Sequence, residues 1–171
     1  MKLFRKQYSH PETESKKIKI STDRGEELTI RPLRPTILTE EIGSWDDAEH
    51  IHSWFVRNVR GGINEQGEVM VTRSQLTKLL EDVRQVVKQS QLIPSRSFFG
   101  RTFGRGANDD TSDGQLIVDT SVARKLLPVT NRFLGRKYDD QYMYDLHHTI
   151  TLLLEALDAE PDTYYTYQAS W

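Results

Sequence analysis

Three stretches of this chain repeat their apolar residues every three or four positions, which commits much of it to helices that each bury one face. In the first, residues 39 to 60, the stripe is Trp45, Ala48, Ile51, His52, Phe55, Val56 and Val59, the spacing of an amphipathic α-helix. Thr39 suits its N-cap, Glu40 and Glu41 suit the positive helix start, and Gly61-Gly62 ends it. The second runs from Arg73 to Gln89 behind Thr72 as cap, with Leu76, Leu79, Leu80, Val83, Val86 and Val87 inward. The third runs from Asp139 to Leu157, with Tyr142, Leu146, Ile150, Leu153, Leu154 and Leu157 inward and Pro161 beyond its end. A shorter helix is expected from Asp119 to Leu127, capped by Asp119 or Thr120 and stopped by Pro128.

A second periodicity, of two, occupies the start and the end of the chain. Leu3 to Tyr8 alternates loosely. Lys17 to Ser21 and Glu27 to Arg31 alternate cleanly around Thr22-Asp23-Arg24-Gly25-Glu26, a hairpin pattern with Ile18, Ile20, Leu28 and Ile30 on one face. Val69 to Val71 can form a short strand. Thr163 to Trp171 is aromatic and β-prone, and is expected to add a strand to the N-terminal hairpin, closing a sheet edge. The fold class expected is therefore α+β: three main helices packed on a small antiparallel sheet built from N-terminal strands and the C-terminal tail. At 171 residues the expectation is a single domain spanning 1–171. It carries a flexible loop at 94–114, where glycine, arginine, phenylalanine and aspartate replace any periodicity.

Composition narrows the function classes. The 23 Lys and Arg against 25 Asp and Glu give a net charge of −2, so a globally basic nucleic-acid binder is disfavoured. There is no cysteine, which excludes disulfides, thiolate metal sites and a cysteine nucleophile. No apolar run reaches the roughly 20 residues of a membrane helix, and residues 1 to 8 lack the apolar region of a signal peptide. His147 and His148 are adjacent and point about 100° apart on a helix, so they lack the spacing of a metal pair. No metal or cofactor is expected. Gly-x-Ser-x-Gly is absent, and Gly100 to Gly106 lacks the Lys-Ser/Thr of a phosphate loop. The pairs Asp46-Asp47 and Asp139-Asp140 fall near expected helix starts, where acids suit the dipole.

The remaining candidates favour binding over catalysis. His52 lies on an apolar stripe, either as a buried structural histidine or as a working base; His50 lies off it, facing solvent. Tyr165 and Tyr167 share one strand face and Tyr164 takes the other. In the long loop, Phe98, Phe99 and Phe103 alternate with Arg101 and Arg105, residue types that suit an interface hot spot.

Residues 41 to 58, which read EIGSWDDAEHIHSWFVRN, resemble a helix of a widespread family of small, uncharacterised phage-encoded proteins, with its Trp-x-x-Ala-x-x-Ile-His-x-Trp-Phe-Val pattern. Leu127-Pro128, Phe133-Leu134-Gly135 and Tyr138-Asp139-Asp140-x-Tyr142 are similar to a second motif of that family, and Tyr165-x-Tyr167-Gln168-Ala169-Ser170-Trp171 to its close. Asp46-Asp47 replaces a basic pair of the family, reversing the local charge, and Ser44 replaces a tyrosine. The resemblance implies a phage origin and a role in the host bacterial cytosol, and supplies no reaction.

Three functions are carried forward. The first is a counter-defence protein that sequesters a small anionic, nucleotide-like ligand. Trp45, His52, Tyr138, Tyr165, Tyr167 and Trp171 would stack or orient it, and Arg57, Arg132 and Lys137 would hold its phosphates. The alternative is an inhibitor that occludes a host protein through the Phe/Arg loop. The third is a hydrolase of a phosphate-containing substrate using His52 with Asp145 or Glu49. A homo-oligomer is compatible with each.

Overall fold

A computed structural model describes residues 1–9, 18–21, 26–30, 36–94, 115–117, 119–130, 137–159 and 163–169. The chain is α+β. Its strands are β1 (Lys2–Ser9), β2 (Ile18–Ser21), β3 (Glu27–Ile30), β4 (Thr36–Ser44), β5 (Gly67–Val71), β6 (Leu92–Pro94), β7 (Gln115–Ile117) and β8 (Tyr164–Ala169). Its helices are α1 (Glu49–Asn58), α2 (Arg73–Gln89), α3 (Ser121–Leu126) and α4 (Asp140–Leu157). Four strands form an antiparallel sheet in the order β4-β1-β8-β5. The C-terminal strand is thus central, between β1 and β5, instead of closing an edge on the β2–β3 hairpin. That hairpin forms, with Ile18 opposite Ile30 and Ile20 opposite Leu28, as a two-stranded sheet of its own. β6 and β7 pair at the base of the expected loop; residues 95 to 114, with Phe98, Phe99, Arg101, Phe103 and Arg105, lie outside the described residues, as do Arg132 and Trp171.

The first helix is ten residues long, not twenty-two. Thr36–Ser44 is strand: Ile37, Thr39 and Ile42 are β-branched, and the carboxylates expected to serve a helix dipole answer β1 instead. Lys2 pairs with Glu41 at 2.7 Å and Arg5 with Glu40 at 2.5 Å. Thr39 therefore caps nothing, and Ala48 precedes α1 without a side-chain cap. The other starts follow the sequence more closely. Thr72 and Gln75 form a reciprocal capping box on α2. Asp139 accepts from the Tyr142 N–H at 3.1 Å. Before α3 the carboxylate that bonds is Asp119, accepting from the Ser121 N–H at 2.8 Å; that bond holds its carboxyl below the usual range.

The core lies between one face of the sheet and the helices. Leu3, Tyr165, Tyr167 and Val71 point into it from the sheet, meeting Trp45, Ile51, Trp54 and Phe55, the Leu76–Val86 face of α2, and Leu146 and Leu153 of α4. Two helices bury more than one stripe. On α1, Trp54 is fully buried and donates to Asp82 on α2 at 2.8 Å. His50, expected in solvent, is also buried; its ring lies 4.4 Å from the Tyr142 ring and its Nε2 lies 4.0 Å from the Asp145 carboxylate. On α4, Met143, Thr149, Leu152 and Ala156 are buried, whereas Leu154 faces out. Among the described residues no helix is long and apolar enough to cross a membrane.

β4 and α4 approach closely at Gly43, where an added Cβ would overlap the Leu152 side chain. Gly43→Ala should lower stability by about 1–3 kcal/mol, the usual cost of overpacking. Its cost should shrink in a Leu152→Ala background, read by urea denaturation. Equal costs in both backgrounds would show that this contact does not demand glycine.

Candidate functional site

Tyr167, on the central strand, organises the region where three of the expected site residues meet. Its ring stacks on Phe55 of α1, centroids 4.0 Å apart and planes 7° apart. Trp45 flanks it at 6.5 Å, and the Arg60 guanidinium lies 5.9 Å over it. Its hydroxyl bonds His52 Nδ1 at 2.7 Å, and His52 Nε2 bonds Asn64 Oδ1 at 2.8 Å. An amide oxygen only accepts, so Nε2 carries the proton. Nδ1 then accepts from Tyr167, whose phenol burial pushes well above its ordinary range and so keeps protonated. Both ring nitrogens are thus engaged, Nδ1 inside the fold and Nε2 at the exposed Asn64. Asp145 lies with His50 and Gln141, and His148 bonds the Ser44 carbonyl at 2.9 Å. Of the two carboxylates considered with His52, Asp145 thus sits at His50, and Glu49 lines the same cleft as His52.

His52 opens onto a cleft of about 700 Å³ lined by Met1, Trp45, Asp46, Asp47, Glu49, His52 and Asn64. Its walls come from the β4–α1 connection and from the turn after α1. Trp45 fixes the connection: its backbone N–H and carbonyl pair with Met1 at 2.9 and 3.0 Å, and its indole donates to Thr149 of α4 at 2.8 Å. Asp47 has a φ of 55°, a left-handed conformation that aspartate tolerates better than most residues. Its carbonyl accepts from the Glu49 N–H at 2.9 Å. The lining residues bring three carboxylates, the His52 imidazole and the Met1 ammonium, which donates to the Trp45 carbonyl. Among the described residues no group of three His, Asp or Glu side chains is placed to hold a metal ion.

The expected nucleotide platform divides differently. Trp45, Tyr165 and Tyr167 are at most 2% exposed, so they form core and present no ring face to a ligand; the alternation that pairs Tyr165 with Tyr167 also turns both inward. The Tyr165 hydroxyl donates to the Ala156 carbonyl at 2.5 Å. Tyr138 is half-buried, and its hydroxyl accepts from the Val129 N–H at 3.2 Å; Lys137 is exposed. Arg57 faces away from the cleft and donates to the Leu126 carbonyl at 2.6 Å. It lines a second, smaller pocket of about 150 Å³ with Trp54, Asn58, Lys78, Asp82, Lys125 and Leu126. Asp46, Asp47 and Asn64 line the cleft but are not among the expected site residues; the sequence signal for the aspartates is the adjacent acidic pair itself.

No protein-family model matches the chain, and no curated protein or solved structure matches it.

The Tyr167–His52 hydrogen bond gives a direct check on this geometry. Tyr167→Phe keeps the ring stack and removes the donor, so stability should fall by about 1 kcal/mol. The His52 nitrogen resonances should report an Nε2–H tautomer in the parent and a shifted Nδ1 in the variant. An unchanged Nδ1 resonance would contradict the bond.

Proposed function

We propose that this chain acts by binding, and that its acidic cleft receives a basic segment of a partner protein, occluding that partner's surface. The observation that carries this is the lining of the large cleft by Asp46, Asp47 and Glu49 with no lysine or arginine among its lining residues. A guanidinium at 4 Å from one carboxylate gains about 1 kcal/mol in water and about 4 kcal/mol at the effective dielectric of a partly enclosed site, whereas a phosphate would be repelled by the same amounts. The likeness of residues 41 to 58 to phage proteins supports a host bacterial protein as the partner, met in the host cytosol. The charge reversal at Asp46-Asp47 then separates this chain's partner from those of its look-alikes.

A second function rests on the smaller pocket. Arg57, Lys78 and Lys125 face one carboxylate there, Asp82, which Lys78 pairs at 3.1 Å. A volume of about 150 Å³ accepts a phosphate group but not a nucleoside with it, and the pocket's one aromatic, Trp54, is fully buried. This supports an anionic group held by charge without base stacking, a weaker form of the nucleotide-sequestering function.

The test is fluorescence anisotropy with a labelled hexa-arginine peptide. Binding should weaken as salt rises and fall at least tenfold in the Asp46→Asn, Asp47→Asn double variant. A control that removes two exposed carboxylates elsewhere, Glu81→Gln with Glu155→Gln, should bind as the parent does. Equal losses in the two double variants would reduce the effect to net charge and contradict the cleft as the site.

A further inference from the structure

We propose that the outer face of the four-stranded sheet is the interface of a homodimer, packing on the same face of a second copy. The helices cover only one side of this sheet. On the other side, register and alternation align Phe4, Tyr8, Ile37, Tyr164 and Met70 around the buried Thr166. Tyr8 sits opposite Ile37, and its ring meets Tyr164 edge-on at 5.4 Å. Met70 is 65% exposed, Tyr8 64%, Ile37 51% and Tyr164 46%. Lys2, Lys6, Thr39, Glu41, Glu68 and Gln168 hold the other outward positions, yet four of the seven exposed large hydrophobics among the described residues lie on this face. Exposed apolar side chains gathered on one face mark an interaction surface, here crossed by the Lys6–Glu68 pair.

Charge selects a second copy as the occupant. The ionised residues among these outward positions come in opposite-sign pairs already closed within the face: Lys2 with Glu41 at 2.7 Å, and Lys6 with Glu68. The hydrogen bond from Lys6 holds the Glu68 carboxyl below its usual range, so the pair stays ionised near neutrality. The face therefore has no net charge to steer an acidic or basic partner. A self-complementary, two-fold contact needs a face that does not repel itself, and the whole chain's net charge of −2 adds little repulsion. The sheet is roughly 19 Å wide and about 27 Å long along β1. Because β8 and β5 are shorter than β1, the plane is about 450 Å², below the low end of stable interfaces at about 600 Å² per partner, so the dimer is weak and concentration-dependent.

Sedimentation velocity on the full chain over about a hundredfold range of concentration reads this out. The mass should rise from monomer toward dimer. Met70→Lys and Ile37→Lys, each on an edge strand and more than half exposed, should weaken dimerisation at least tenfold while leaving the melting temperature within a few degrees. Tyr144→Lys, an equally exposed aromatic on α4, should dimerise as the parent does. A monomer at every concentration overturns the proposal, as does a dimer that Tyr144→Lys disrupts and the two sheet variants leave intact. If a sheet variant loses its melting transition, the other decides.

Discussion

The stack of Tyr167 on Phe55 joins the central strand of the sheet to the helix that borders the cleft. With ring planes 7° apart at 4.0 Å, it fixes the rotation of α1 about its own axis. Everything nearby depends on that rotation. One turn before Phe55, His52 meets the Tyr167 hydroxyl; on the adjoining side, Trp54 reaches Asp82. Arg60, over the same Tyr167 ring, donates to the carbonyls of Glu65 and Gly67. It thereby holds the turn that carries Asn64. A helix rotated by one residue would lose all of these together, because 100° separates neighbours.

The same arrangement explains why an aromatic-rich chain has a cleft lined by acid. Its largest rings are spent on the interior: Trp45, Trp54, Tyr165, Tyr167 and Phe55 are the largest fully buried side chains. Their polar atoms are matched internally, to Thr149, Asp82, the Ala156 carbonyl and His52, as buried polar groups require. What remains at the cleft is Asp46, Asp47 and Glu49, beside the buried Trp45 and Ala48. There the carboxylates set the chemistry, and cationic groups are the natural complement.

Much of the fold was legible in the residues. The three main helices, Thr72 as the cap of α2 and the β2–β3 hairpin follow from spacing and local chemistry. The errors have common causes. Thr39, Glu40 and Glu41 carry helix-start chemistry, but the cross-strand partners Lys2 and Arg5, some 35 residues away, outweigh a dipole term of a few tenths of a kcal/mol. His50 looks solvent-facing on a one-stripe helix, yet α1 also meets Tyr142 and Asp145 of α4. The position of β8 between β1 and β5 is non-local and has no signature in the tail itself. The site was less legible than the fold, because a helical or alternating pattern shows which residues share a face and not whether that face meets a ligand or the core. Tyr165, Tyr167 and Trp45 share that ambiguity, and all three proved to be core. The acidic pair at 46 and 47 was visible but matched a common helix-start pattern.

The central claim, that the Asp46–Asp47–Glu49 cleft is where a partner's basic group lands, is tested most directly by mapping the contact on the molecule. Titration of the ¹⁵N-labelled chain with hexa-arginine peptide should move the amide resonances of Asp46, Asp47, Glu49, His52 and Asn64 together, in proportion to occupancy, and leave those around Arg57, Lys78 and Lys125 in place. Shifts centred on the Arg57 pocket or on residues 94–114, with the cleft unmoved, would contradict it.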